Sequence, residues 1–309
     1  MKYLIAHITA GSPGSIEIDE DEYNLISTAR EDLFEALYLE EKLDLVTENY
    51  HEYEAELLSL SSRMVVFNDD DYFSMGRERN LITRRISNLL GASKMYLDQS
   101  LHHLTNIYGE DSDVLAVTKR ERASQYDQNF GYRFMEAIRN YAQHRDFPIQ
   151  GIKLSHQRID NDNGPQFLHQ AIPLINIHTL QDDEKFKRTI LDEIRHSNKQ
   201  DFMDARPLIR QYIEGIGTLH VKTRELMLPD LKVWEKVLDD TITKYKKGYG
   251  ESVSLTGLAI IKENDNRNWD ETKTLFKEFI ERRLLLEDKN KSFINLHKSY
   301  ASNEIRNND

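Results

Sequence analysis

The longest uninterrupted pattern in the chain runs from Ser27 to Leu60, a stretch with neither Gly nor Pro. Leu39, Leu43, Val46, Tyr50, Tyr53, Leu57 and Leu60 recur at alternating spacings of four and three, the period of a helix seam that packs against other helices. Ser27 or Thr28 can serve as its N-cap. The other faces carry Glu31, Asp32, Glu35, Glu40, Glu41, Asp44, Glu48, Glu52, Glu54 and Glu56 against only Arg30 and Lys42. These acids spread around the helix instead of converging, which reads as a solvated face rather than a cation site. After an acidic turn at Asn68 to Asp71, a second helix is predicted from about Tyr72 to Tyr108. Ile82, Ile86, Leu90, Leu97, Leu101 and Leu104 form its apolar stripe, and Arg77, Arg79, Arg84, Arg85 and Lys94 make it the basic partner. Gly109 to Asp113 breaks the pattern before a third helix, predicted from about Lys119 to Arg145. Asp146-Phe147-Pro148 ends it, because the residue before Pro is driven out of the α region.

Residues 149 to 180 change character. Ile152, Leu154 and His156 alternate with polar residues, Asp160 to Pro165 is dense in turn formers, and an apolar run through Ile172 to Ile177 follows. A small β hairpin is predicted. A calcium loop is a poor fit to the same turn, since the glycine falls one position early and no glutamate closes it. Helical spacing resumes at Glu184 to His196, at Pro207 to Met227, and after Pro229 as far as Gly248-Tyr249-Gly250. A last helix is expected from about Asp270 to Leu286 on Leu275, Phe276, Phe279 and Ile280, followed by a polar tail from Glu287 to Asp309. The predicted fold class is mainly α, a long-helix bundle with a small β hairpin insertion and a second helical region. A boundary near residue 148 divides a bundle of residues 1–148 from the hairpin and helices of 149–309, the latter either a separate region or packed on the same bundle, and no internal repeat is visible.

The composition narrows the chemistry. The chain has 309 residues, 39% hydrophobic and 30% charged, with 13 Gly and 6 Pro, a balance that suits a helix-rich globular protein. Cys is absent, which removes disulfides, thiolate metal sites and thiol nucleophiles together. The formal charge of -12 argues against coating long nucleic acid through counterion release, while leaving room for a local basic site. Met1 to Thr9 is apolar for too few residues to make a signal peptide, and no stretch reaches the ~18 apolar residues of a membrane span. The expectation is a cytoplasmic protein with no membrane contact.

The informative segment is Phe130 to Pro148. On a helical wheel Phe130, Phe134, Ala137, Ile138 and Tyr141 fall within an arc of roughly 100° facing the core, and Glu136, Arg139, Asn140, Gln143 and His144 fall outside it. Asn140 and His144 are i,i+4 neighbours, so the amide can orient the imidazole, whereas Arg139 lies about 140° around the helix from His144. One copy does not bring Arg and His tightly together; two copies facing each other can surround one phosphate.

Arg139-Asn140-Tyr141-Ala142-Gln143-His144 resembles the signature of HEPN domains, all-helical nucleotide-binding domains in which Arg is followed by a polar residue, often Asn, and then by His after four intervening positions. The likeness covers about residues 27 to 148 and rests on a six-residue motif plus the helices before it; no other Arg here stands five residues before a His. What the resemblance implies is a metal-independent endoribonuclease with no cofactor, active as a homodimer on RNA, in a toxin–antitoxin, phage-defence or RNA-processing setting, with an antitoxin or regulatory partner. By that likeness His144 acts as general acid or base, Arg139 stabilises charge developing on the phosphate, and Asn140 orients them. These residue types suit the task, since His titrates near neutrality and Arg offers a rigid fork of donors to phosphate. The chain departs from many members in extending far past the motif, and Arg145-Asp146 follows His144 where some toxins carry a Tyr two residues on. Lys119, Arg120, Arg122, Arg133 and Arg145 are the expected RNA-backbone contacts. The same residues also fit an ordinary polar face, with Glu136 pairing to Arg139 and Asn140, which leaves a non-catalytic RNA-binding or protein-interaction protein as the alternative.

Other signals are weaker. Glu193-Ile194-Arg195-His196 matches one E-x-x-H step of a di-iron bundle, yet no second copy exists. His102-His103 places only one ring on any face, and His156 and His169 can meet across the hairpin without a third ligand. Gly11-Ser12-Pro13-Gly14 and Gly248-Tyr249-Gly250 read as turns, not phosphate loops.

Overall fold

In a computed structural model, residues 1–9, 14–67, 72–161, 164–197, 200–291 and 293–302 are described. The expected turns at Gly11 to Pro13 and Asn68 to Asp71, the centre of the hairpin turn at Asp162-Asn163 and the last residues of the tail lie outside them. The protein is mainly α, with two small antiparallel sheets. No helix among the described residues is long and apolar enough to cross a membrane. The chain forms two compact units, neither continuous in sequence: residues 1–41, 99–116 and 222–289 make one, and residues 42–98, 117–221 and 290–309 the other. This division does not follow the boundary expected at residue 148, because helices α1 (Glu20–Phe67), α2 (Tyr72–Tyr108) and α7 (Ala205–Tyr249) each contribute to both units.

The first unit is built on a sheet absent from the sequence reading. Strands β1 (Lys2–His7), β2 (Ser15–Ile18), β6 (Leu258–Glu263) and β7 (Trp269–Thr274) are ordered β2-β1-β6-β7, all antiparallel. Strand β6 is interior and buried on both faces from Leu258 to Ile261, which explains its unbroken apolar run. In register, Ile5 pairs with Ile260 and Ala6 with Ala259. Ile5 and Ile260 pack with Ile26, Leu33, Leu238, Ile242 and Phe279, while Ala6, Ala259 and Ile261 cluster separately. The last helix, α8, spans Glu278–Lys289 rather than starting at Asp270, because residues 269–274 pair with β6 as an edge strand. Leu275 and Phe279 are buried as expected, and Phe276 is 37% exposed.

In the second unit the expected seam of α1 is buried at Leu43, Val46, Tyr53, Leu57 and Leu60, and that of α2 at Ile82, Ile86, Leu90 and Leu97. The expected third helix is two: α3 (Asp113–Gln128) and α4 (Phe130–His144), parted at Asn129. The hairpin forms as predicted, β3 (Gly151–Asn161) pairing antiparallel with β4 (Gly164–Asn176), and a short β5 (Phe202–Asp204) adds to β4. Helices α5 (Ile177–Gln181) and α6 (Arg188–Ser197) follow the hairpin. The two helices expected on either side of Pro229 are a single α7 with Pro229 inside it. Proline removes one helical N–H, and the buried row Met227, Leu231, Leu238 and Ile242 carries the helix through.

Helix α1 also begins earlier than Ser27, where the Asp19 carboxylate accepts from the Glu22 N–H at 2.7 Å. Its acids are not simply solvated. Within the first unit Glu40 is buried against Arg224, Glu22 meets Lys244 and Glu35 meets His103. Within the second unit, Glu54 takes a two-pronged contact from Arg210, and Glu52 and Glu56 face Arg85 of α2.

Candidate functional site

Helix α4 carries the motif, and its placement starts at Asn129. The Asn129 carboxamide caps the helix, accepting from the Tyr132 N–H at 3.0 Å, and its Nδ2 donates to the Gln211 carbonyl of α7 at 3.1 Å. The Gln211 side chain in turn accepts from the Gly131 N–H at 3.0 Å. Two glycines allow this approach. A Cβ at Gly131 would come within 2.5 Å of Gln211 Cβ, and one at Gly215 within 2.6 Å of the Tyr132 ring. Phe134, Met135, Ile138 and Tyr141 then sink into the core, so α4 is held on more sides than an arc of one hundred degrees.

Arg139, expected on the outer face, is only 9% exposed. Its guanidinium belongs to a polar chain that begins at Tyr212 of α7, itself fully buried. The Tyr212 hydroxyl donates to Glu136 Oε1 at 2.6 Å; Glu136 Oε2 lies 4.0 Å from Arg139 Nη2; and the same Nη2 donates to Asn140 Oδ1 at 2.7 Å. Burial, with the Glu136 charge adding to it, pushes the Tyr212 phenol well above its usual range, so it remains a donor. Arg139 Nε is buried with no hydrogen-bond partner among the described residues. Asn140 and His144 are exposed. Asn140 turns its oxygen to Arg139 instead of orienting the imidazole, and among the described residues the His144 ring has no hydrogen-bond partner. Beyond His144 the helix closes at Arg145, whose N–H donates to the Tyr141 carbonyl at 2.8 Å, and buried Pro148 turns the chain into the hairpin.

The expected RNA contacts divide. Arg133 is committed to the fold, forking onto Glu193 of α6 and donating to the Tyr126 and Asp127 carbonyls. Arg122 is likewise engaged, donating to the Leu97 carbonyl at 2.8 Å. Their withdrawal follows from position, since both sit half-buried where an unpaired charge is costly. Lys119 and Arg120 lie on α3, not on the motif helix, and with Arg145 they are exposed, without a side-chain hydrogen bond or ion pair among the described residues. Glu193, noted for its E-x-x-H spacing, is the partner of Arg133, while His196 contacts the Asp192 carbonyl. Among the described residues no three His, Asp or Glu converge on a metal position. Tyr212 was missed from sequence; it stands 76 residues from Glu136, and no local spacing signals the contact.

No family model, no curated protein and no solved structure matches this chain.

Proposed function

We propose that the C-terminal end of α4 is the active centre of a metal-independent, HEPN-like endoribonuclease that cleaves RNA between two copies of the chain. The observation that carries this reading is the chain Tyr212–Glu136–Arg139–Asn140, which holds a guanidinium and an amide on the last turns of the helix that ends at an exposed imidazole, His144. Such support is what a precise site requires of the residues behind it. In the proposed reaction His144 takes the proton of the ribose 2′-hydroxyl, and the resulting alkoxide attacks the adjacent phosphorus. The 5′-oxygen leaves, accepting a proton from the second copy's imidazole, and a 2′,3′-cyclic phosphate remains. Arg139 places positive charge next to the phosphate as negative charge accumulates, and Asn140 holds that guanidinium in register. Exposed Lys119, Arg120 and Arg145 are the cations left to meet the RNA backbone.

The burial of Arg139 favours a second reading, in which the network merely stabilises a non-catalytic helical interaction protein. The two separate on His144→Ala, an exposed position whose truncation leaves the core intact. With EDTA present, wild type is expected to cleave single-stranded RNA to 2′,3′-cyclic phosphate ends. His144→Ala is expected to lose this by about 100-fold or more, at unchanged melting temperature. Cleavage that persists in His144→Ala, or its absence in wild type, leaves the scaffold reading.

A further inference from the structure

We infer that His156 and His169 form a two-histidine chelating site for a first-row divalent cation of borderline softness, Zn(II), Ni(II) or Cu(II). The two residues face each other in register across β3 and β4. Their Nδ1 atoms are 2.9 Å apart, and the rings stand at 90° with centroids separated by 4.7 Å. An imidazole nitrogen binds such a metal at about 2.0–2.1 Å. Two ligands at that distance and at right angles, as about square-planar or octahedral Ni(II) and Cu(II), are about 2.9 Å apart, and a tetrahedral Zn(II) opens the same pair to about 3.3 Å. The pair already holds the bite of two adjacent ligands.

Both alternatives for the bare pair are weaker. Two neutral rings so placed can share one proton, one nitrogen donating and the other accepting. Two charged rings would carry like charges on directly opposed residues, which destabilises a strand pair. A metal ion takes both Nδ1 lone pairs at once, with each ring carrying its proton on Nε2. The surroundings permit it: the nearest cation along β3, Arg158, is engaged by Asp160 at 2.9 Å, and the site is open to solvent, so water completes the coordination sphere. Only two protein ligands are supplied, in keeping with the absence of a three-residue cluster among the described residues.

The location gives the site a use. Ala171 and Ile175 anchor β4 in the core, whereas past the histidines the ribbon is bare, with Ile159, Phe167 and Leu168 40%, 60% and 37% exposed. A two-stranded ribbon without a core beneath it is marginal in water. A metal bridging its strands at His156 and His169 fastens the limb where packing ceases to do so.

The test uses the full chain, stripped with EDTA, returned to chelator-free buffer, and titrated with NiCl2, CuSO4 and ZnSO4 by calorimetry. One high-affinity equivalent of metal per chain is expected, weakened roughly 10-fold or more by either His156→Ala or His169→Ala and left unchanged by His51→Ala. Cu(II) electron paramagnetic resonance should show two coupled nitrogens in wild type and one in each variant. Binding that is absent from wild type, or that survives both substitutions, overturns the assignment. No RNA enters the measurement, so its result stands apart from that of the nuclease reading.

Discussion

Gly131 and Gly215 show how single missing carbons set the position of α4. Each faces the opposing helix at a distance no Cβ tolerates, Gly131 against Gln211 Cβ and the Leu208 carbonyl, Gly215 against the Tyr132 ring. We expect Gly131→Ala or Gly215→Ala to destabilise the protein by about 1–3 kcal/mol, measured by urea denaturation, despite the better helix propensity of Ala. Asp32 behaves differently. Burial, and then the charges of Glu31, Glu35 and Asp230, push its carboxyl up to about 6. An unfolded aspartate titrates near 3.9, so the folded state binds this proton more tightly and gains stability as pH falls from about 6 towards about 4. Above about 6 the ionised carboxylate is a net cost. Asp32→Asn should therefore stabilise the protein at pH 7.5, by on the order of 1 kcal/mol after solvent screening, and the gain should vanish at pH 4. Equal denaturation midpoints for the two proteins at pH 7.5 would contradict this. Residue-level reading from the wheel misplaced Arg139 because the wheel assumes a single covered face, and α4 is covered on several.

Among elements, those with a long period of their own were readable from sequence, and those completed by a distant partner were not. Helix α2 has the bounds its apolar stripe predicts, and the hairpin turns where Asp160 to Pro165 says it should. Residues 270–274 read as helix from sequence because Leu275, Phe276 and Phe279 share a helical spacing, while the residues before them become a strand only by pairing with β6. The break at Asn129 was hidden for a similar reason: a lone Asn is tolerated within helices, and the reason it caps one here is Gln211 on α7. Asn129→Ala removes the cap and the tie to α7 together. The expected cost is about 1–2 kcal/mol, checked by thermal denaturation, with a larger loss of hydrogen-exchange protection in the first turn of α4 than elsewhere in the unit.

At the scale of the whole chain, a cut at residue 148 separates residues that partner one another. A fragment of residues 1–148 keeps β1 but loses β6, and keeps α4 but loses Tyr212, Gln211 and Gly215. We expect this fragment to show helical circular dichroism without a cooperative melt, whereas the full chain melts cooperatively. A sharp transition in the fragment would restore the simpler division. Fold class was legible because three long helices dominate the composition of the chain; the discontinuous units were not, because nothing local marks residue 41, 98 or 221 as a border.

The pairing of Lys2–His7 with Leu258–Glu263 also sets a timetable. On a ribosome adding about 5–20 residues per second, the first strand meets β2 almost at once, yet is made ~10–50 seconds before β6, its other neighbour. Throughout that interval Leu4 and Ile5 sit on a nascent chain whose hydrogen-bonding edge is open. Slow translation of its middle is therefore expected to favour aggregation over folding, read as the soluble fraction made at two elongation rates.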